Sequence, residues 1–179
     1  TVFDEPFDGL DVTAQRLLAE DLEEYANADN PRSLVLVTHR IEEIPPNFGN
    51  VLSTLDCRVS AIGGRELIPS YPAGNTRVDI RSKVSPANGF APATESELIV
   101  ELHSVRVAYD ESVLFSDFDW SMREGEHWSI VGPNGSGKTT ILNLIYGDNL
   151  LAYANDVRVF GVRRGDGESI WELRRRIGY

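Results

Sequence analysis

The sequence has little cysteine, little positive charge and no long apolar run. Its single cysteine, Cys57, excludes an internal disulfide and a cysteine-based metal site. The longest apolar runs are five or six residues, whereas roughly 20 are needed to cross a bilayer. A net charge of −11 disfavours non-specific binding to nucleic acid, because phosphate neutralisation needs clustered Lys and Arg. We therefore expect a cytoplasmic protein with no transmembrane segment and no direct nucleic-acid partner.

The N-terminus lacks the features of a secretion signal. Residues 1–6 have no basic region, no long apolar region and no initiator Met. They begin instead with the apolar fragment Thr1-Val2-Phe3, which runs into Asp4-Glu5-Pro6. We therefore expect the chain to be an internal stretch of a longer protein.

A glycine-rich motif at residues 132–139 fits the pattern G-x-x-x-x-G-K-[ST] at every fixed position. An apolar strand precedes it and a helical stretch follows, which makes a chance glycine-rich turn a poor explanation. Glycines let consecutive backbone N–H groups face phosphate oxygens, the lysine reaches the terminal phosphates, and the threonine hydroxyl faces Mg²⁺. The candidate residues for binding ATP with Mg²⁺ are Gly132, Pro133, Asn134, Gly135, Ser136, Gly137, Lys138, Thr139 and Thr140.

Two acidic residues and a histidine follow short apolar strands earlier in the chain. Asp4 suits Mg²⁺ coordination and Glu5 suits proton acceptance from an attacking water. His39 comes directly after the apolar run 34–37 and would contact a γ-phosphate or the water. Taken singly, a solvated acidic turn and a structural histidine explain these residues better. Their order along the chain, with a helix and a buried strand between them, favours the catalytic interpretation.

Aromatic residues allow two further predictions. Tyr109 ends a predicted strand, where its ring would stack on adenine; an aromatic that covers the edge of the sheet is an equal alternative. Trp120, Trp128 and Trp171 are expected in cores.

Hydrophobic periodicity divides the chain into two parts. The first part has a predicted helix at 11–28, with Val12, Leu17, Leu18, Leu22 and Tyr25 at helical spacing. A buried strand at 34–37 follows, then a hairpin of strands 51–55 and 58–62 that turns at Asp56-Cys57. Residues 69–97 carry scattered Pro and Gly without an apolar period, which is typical of a linker. The second part alternates over 97–109 and 113–120, followed by a strand at 127–131 and a helix at 139–146.

In this order the motifs resemble those of ABC-type ATPases that have two nucleotide-binding domains in one chain. The resemblance makes residues 1–68 the C-terminal part of a first domain, 69–97 a linker, and 98–179 the N-terminal part of a second. It implies an α/β fold of the P-loop NTPase class. Asp4-Glu5 resembles the end of a Walker B strand, residues 8–11 a D-loop, His39 a switch histidine, Tyr109 an A-loop aromatic, and residues 177–179 the strand that leads to a Q-loop.

Passages 125–128 and 165–171 are similar to a subfamily of tandem ATPases associated with molybdate transport and photorepair. The resemblance implies ATP hydrolysis that drives a partner, such as a membrane permease or a regulated protein, with a location in the cytoplasm or at the periphery of the inner membrane. No Leu-Ser-Gly-Gly-Gln signature occurs in the sequence. ABC sites are composite, so we expect Asp4, Glu5 and His39 to serve one ATP and Lys138 another, and this segment alone to be inactive.

Two other functions fit the same motifs. A ribosome-associated tandem ABC protein would have a long basic linker, which residues 69–97 do not resemble. A nucleotide-sensing or scaffold module would need no carboxylate base, and Glu5 argues against it.

Overall fold

The computed structural model describes residues 1–27, 32–70, 96–109, 112–167 and 169–178. Most of the predicted linker, 69–97, therefore lies outside the described residues. The strands are β1 Val2–Asp4, β2 Leu34–Thr38, β3 Asn50–Leu55, β4 Arg58–Gly64, β5 Leu98–Tyr109, β6 Ser112–Arg123, β7 His127–Val131, β8 Asp156–Val159 and β9 Val162–Arg163. The helices are α1 Val12–Asn27, α2 Lys138–Tyr146, α3 Leu151–Ala154 and α4 Ile170–Ile177.

Strands from both parts of the chain form one sheet, in the order β1-β2-β7-β3-β4. β1, β2, β7 and β3 are parallel, and β4 returns antiparallel to β3. β2 is buried along its whole length, as an apolar run in the middle of a parallel sheet should be. Carboxyl ends of parallel strands meet at one edge, so the residues that follow β1, β2 and β7 lie together.

The second sheet is antiparallel, in the order β6-β5-β8-β9. Its long strands β5 and β6 alternate buried and exposed positions where their burial is described, as a sheet with one solvated face should. Trp120 of β6 meets Trp128 of β7 edge to face, with ring centroids 5.3 Å apart. The two sheets therefore share a core, which α2 also enters through Ile141, Leu144 and Ile145.

The opposite face of the first sheet packs against α1. This face has its own hydrophobic cluster, separate from the core that the two sheets share. Its members include Phe7, Leu22, Leu34, Leu36 and Val51. Of the apolar residues expected on one face of α1, Leu22 is buried and Leu18 packs beside the cluster, whereas Val12 and Leu17 are 82% and 52% exposed. In the described parts of the chain, no helix has both the length and the apolarity of a membrane span.

The hairpin prediction is confirmed: Leu55 pairs with Arg58, and Asp56 and Cys57 both have positive φ between them. Two predictions at α4 are wrong. Ile177 is the last residue of α4 and does not belong to a strand, although the Gly178 carbonyl accepts a hydrogen bond from Val2 N. Trp171 is 73% exposed because α4 buries Leu173 and Ile177 instead.

Candidate functional site

The P-loop connects β7 to α2 at the carboxyl edge of the parallel sheet. Gly135 and Gly137 have φ of 79° and 101°, a region that glycine enters without steric penalty. A Cβ atom on Gly137 would lie 2.8 Å from the Phe115 ring, so β6 leaves no room for a side chain there. Lys138 is 6% exposed, and its ammonium donates to the Gly132 and Pro133 carbonyls at 2.7 and 3.2 Å.

Glu5 links the P-loop to the end of β2. One carboxylate oxygen, Oε1, lies 3.2 Å from Lys138 Nζ. The other, Oε2, lies 2.9 Å from His39 Nδ1 and accepts the His39 backbone N–H at 3.2 Å. The structure therefore brings Glu5, His39 and Lys138 into one cluster, although the sequence analysis expected them to serve different ATPs.

The cause of this assembly is strand pairing. β2 and β3 come from the first part of the chain, and β7 pairs with both of them, through contacts such as Val35 with Trp128 and Leu52 with Ile130. β7 therefore forms backbone hydrogen bonds with β2 on one side and with β3 on the other. The P-loop follows β7 and so lies beside Glu5. Motif order could not reveal this pairing, because the paired residues lie about 80 to 90 positions apart in the chain.

The two acidic residues differ in their electrostatics. Burial raises the pKa of Asp4, as does the neighbouring Glu5 charge, and Lys138 only partly opposes them. Burial also raises the pKa of Glu5, but the hydrogen bonds from His39 and Lys138 and the Lys138 charge outweigh burial, so its pKa lies below the ordinary value. Glu5 is therefore ionised and paired, whereas Asp4 is a carboxylate whose negative charge is incompletely balanced.

Arg40 fixes the tautomer of His39. Its Nε–H donates to His39 Nε2 at 3.3 Å, so the proton of the neutral ring lies on Nδ1, where it donates to Glu5. The Arg40 guanidinium also lies 3.1 Å from Glu43 and 3.5 Å from Asp8. Arg40 could not be predicted from the sequence, because a single arginine after the histidine has no motif of its own.

Tyr109 lies at the end of β5 with 47% of its surface exposed. Its hydroxyl accepts a hydrogen bond from Asn149 Nδ2 at 2.8 Å. The stacking of its ring on adenine stays a prediction.

The donor set suits Mg²⁺. The Asp4 carboxylate, whose charge is only partly balanced, lies at the end of β1. Thr139 is the second residue of α2 and is exposed. Carboxylate and hydroxyl oxygens are the ligands that Mg²⁺ prefers, together with phosphate and water. Glu5, Asp8 and His39 also lie within 4.8 Å of one another, but the Arg40 guanidinium contacts Asp8 and His39, and Lys138 contacts Glu5, so cationic groups already occupy that cluster.

The chain is similar in sequence to ATP-binding proteins of ABC transporters. Residues 115–179 match the ABC transporter family. The chain is 37% identical to the ABC transporter ATP-binding protein ModF of Escherichia coli, over 99% of this chain and 37% of that protein. An uncharacterized ABC transporter ATP-binding protein of Schizosaccharomyces pombe is 29% identical, over 99% of this chain and 36% of its own length.

A shorter match joins the chain to the energy-coupling factor transporter ATP-binding protein EcfA1 of Streptococcus sanguinis, which is 40% identical over 46% of this chain. No solved structure matches the chain. The chain spans well under half the length of the two relatives that align over nearly all of it.

Proposed function

We propose that this chain, which carries an ABC ATPase domain of the P-loop NTPase fold and resembles ModF, binds ATP with Mg²⁺ at its P-loop and serves ATP hydrolysis in the whole protein. The observation that supports this proposal is the cluster around Glu5. Its carboxylate contacts the P-loop lysine at 3.2 Å and the histidine after β2 at 2.9 Å. A phosphate binder, a base and a hydrogen-bonding histidine within reach of one another are the groups that phosphoryl transfer to water requires.

Each residue has a role in this proposal. Backbone N–H groups of the P-loop and the start of α2 hold the phosphates. Lys138 exchanges Glu5 for the terminal phosphates, and Glu5 orients and deprotonates the water that attacks the terminal phosphate of the ATP in its own domain. His39 contacts the γ-phosphate side of the site. Asp4 and Thr139 hold Mg²⁺, which supplies charge neutralisation of the phosphates when bound. Tyr109 stacks on the adenine base.

The order of the motifs favours a tandem protein as the functional unit. Asp4, Glu5 and His39 precede the P-loop in the chain, and the similarity to ModF runs through both parts, over 99% of the chain. We infer that residues 1–68 and 98–179 belong to two nucleotide-binding domains of a longer protein.

Nucleotide stoichiometry of the full-length protein distinguishes the two arrangements. If the halves belong to separate domains, two ATP molecules bind per chain and Lys138→Ala removes one of them. If Glu5 and Lys138 serve a single site, the same substitution removes all binding.

The first experiment measures Mg-ATP binding by this chain. A titration with ATP should show saturable binding that Lys138→Ala abolishes, because a phosphate loses its cationic partner. Arg16→Ala is the matched control, since Arg16 is an exposed cation that pairs with Glu20 on α1. Equal binding by wild type and Lys138→Ala would contradict the proposal. We expect no multiple-turnover hydrolysis by this segment alone, and turnover that is lost in Lys138→Ala would contradict that expectation.

The partner is part of the same proposal. We propose that closure around ATP drives a membrane permease or another regulated protein, from the cytoplasm or the periphery of the inner membrane, with molybdate transport as one setting. ATP-dependent co-sedimentation of the full-length protein with ribosomes would favour the ribosomal alternative. Full biological activity of Glu5→Gln would favour a nucleotide-sensing module.

A further inference from the structure

The β3–β4 hairpin contacts the P-loop through Thr54 and Cys57. Thr54 is completely buried near the end of β3. Its hydroxyl donates to the Val131 carbonyl at 3.2 Å and lies 2.7 Å from the Ser136 hydroxyl. Because the single Thr54 proton goes to Val131, the Ser136 hydroxyl must donate to Thr54. One buried side chain thus joins the last residue of β7 to the middle of the P-loop.

The backbone approaches just as closely at the start of the loop. A Cβ atom on Gly132 would lie 2.2 Å from Thr54 Oγ1 and 2.5 Å from both the Thr54 carbonyl oxygen and Ser136 Oγ. Gly132 therefore lies directly against Thr54, and any larger residue would displace one of them. This contact supplies a local reason for glycine at the first position of the motif, beyond the curvature that the loop needs.

The hairpin turn adds a third contact. Asp56 and Cys57 have φ of 48° and 57°, and the turn directs the Cys57 thiol to the Gly135 carbonyl at 3.2 Å. The pairing of β3 with β4 also shifts register between Ser53 and Thr54. Such a bulge re-aims the residues that follow it, which suits a hairpin whose tip contacts a neighbouring loop.

We infer that Thr54, with a smaller contribution from Cys57, positions the P-loop for the phosphates of ATP. The inference rests on the proposed function, because it concerns the same nucleotide site. The Ser136 hydroxyl held by Thr54 fixes the centre of the loop, and the Val131 carbonyl held by the same side chain fixes its beginning. A loop held in the binding conformation loses less conformational entropy when the ligand arrives, so Thr54 acts on affinity through preorganisation.

Thr54→Val tests this inference, since valine keeps the shape and removes the hydroxyl. Loss of one buried hydrogen-bonded hydroxyl should weaken ATP binding by about fivefold. Thr54→Ser keeps the hydroxyl and should bind ATP within about twofold of wild type. Ser60→Ala is the matched control, because Ser60 donates to Ser53 at 2.9 Å in the same hairpin. It should lower thermal stability as Thr54→Val does, without weakening ATP binding.

A double-mutant cycle with Ser136→Ala provides a second measurement. If Thr54 acts through Ser136, the ATP affinity of the double variant should equal, within about twofold, that of the single variant that binds ATP less tightly. Thr54→Val that binds ATP like wild type, or Ser60→Ala that weakens binding as much as Thr54→Val, would overturn the inference. The inference would also be overturned if the loss of ATP affinity in the double variant equalled the product of the losses in the two single variants. Absence of ATP binding by the wild-type chain would instead contradict the proposed function itself.

Discussion

Under the proposed function, Glu5 and a phosphate of ATP compete for the Lys138 ammonium, and that competition has a measurable consequence. Lys138 must leave Glu5 before it can reach a phosphate, so the ion pair at 3.2 Å opposes nucleotide binding. Because the Glu5 side chain is 22% exposed, water partly screens the pair, which is worth about 1 kcal/mol.

Glu5→Gln should therefore strengthen ATP binding by this chain, by up to about fivefold. A fluorescence titration with a labelled ATP analogue would measure the change. Glu43→Gln is the matched control, because the Glu43 carboxylate accepts hydrogen bonds from Thr38 and Arg40. Equal affinity of Glu5→Gln and wild type would indicate that Glu5 and Lys138 serve different nucleotides, as the motif order suggests.

His127 begins β7, and its burial makes the stability of the fold depend on pH. Its Nε2–H donates to the Ala26 carbonyl at 3.1 Å, and its buried Nδ1 has no hydrogen-bond partner among the described residues. Burial lowers the pKa of His127, and two backbone hydrogen bonds oppose that shift only partly. Protonation would thus place a positive charge on a ring that burial removes largely from water.

The sign of the pH effect follows from this lowered pKa. Above the unfolded value of about 6.5 the ring is neutral in both states. Below it the unfolded chain binds the proton first, so stability should fall as the pH falls, with a slope of at most about 1.4 kcal/mol per pH unit from this group. Chemical denaturation from pH 7.5 to 5 should show a shallower decline for His127→Gln than for wild type. An unchanged slope in the variant would contradict the role of His127.

Among the secondary-structure elements and loops, the sequence predicts those whose pattern is contained in a few consecutive residues. The P-loop was found because its glycines, lysine and threonine are consecutive, and the hairpin was found because two apolar runs flank Asp56-Cys57. Thr54 was missed because its partner Ser136 lies 82 residues away and a threonine in a strand has no distinctive pattern. Trp171 was misplaced because aromatic character does not say which face of a helix is buried; in α4 that face carries Leu173 and Ile177.

At the scale of the whole molecule, the notable feature is one sheet made from two distant parts of the chain. β7 supplies the central strand and pairs with β2 on one side and β3 on the other. Trp128 and Ile130 of β7 are buried in the core that both sheets share. A strand that is bonded on both sides and buried contributes more to stability than an edge strand, so this interface between the two parts should persist without a covalent connection.

Separately produced fragments 1–70 and 96–179 should therefore associate into a 1:1 complex when they are refolded together. Size-exclusion chromatography would detect the complex, and circular dichroism should show more strand structure than the sum of the isolated fragments. Ile130→Lys in the second fragment should abolish association, because it buries a charge at a position with 0% exposure. Val113→Lys is the control, since Val113 is 44% exposed on β6. Two fragments that remain separate would contradict the prediction. Fragments that associate equally well with Ile130→Lys would show that their association does not depend on pairing through β7. ATP binding by the complex, lost in Lys138→Ala, would further indicate that the reassembled edge of the sheet forms the phosphate site.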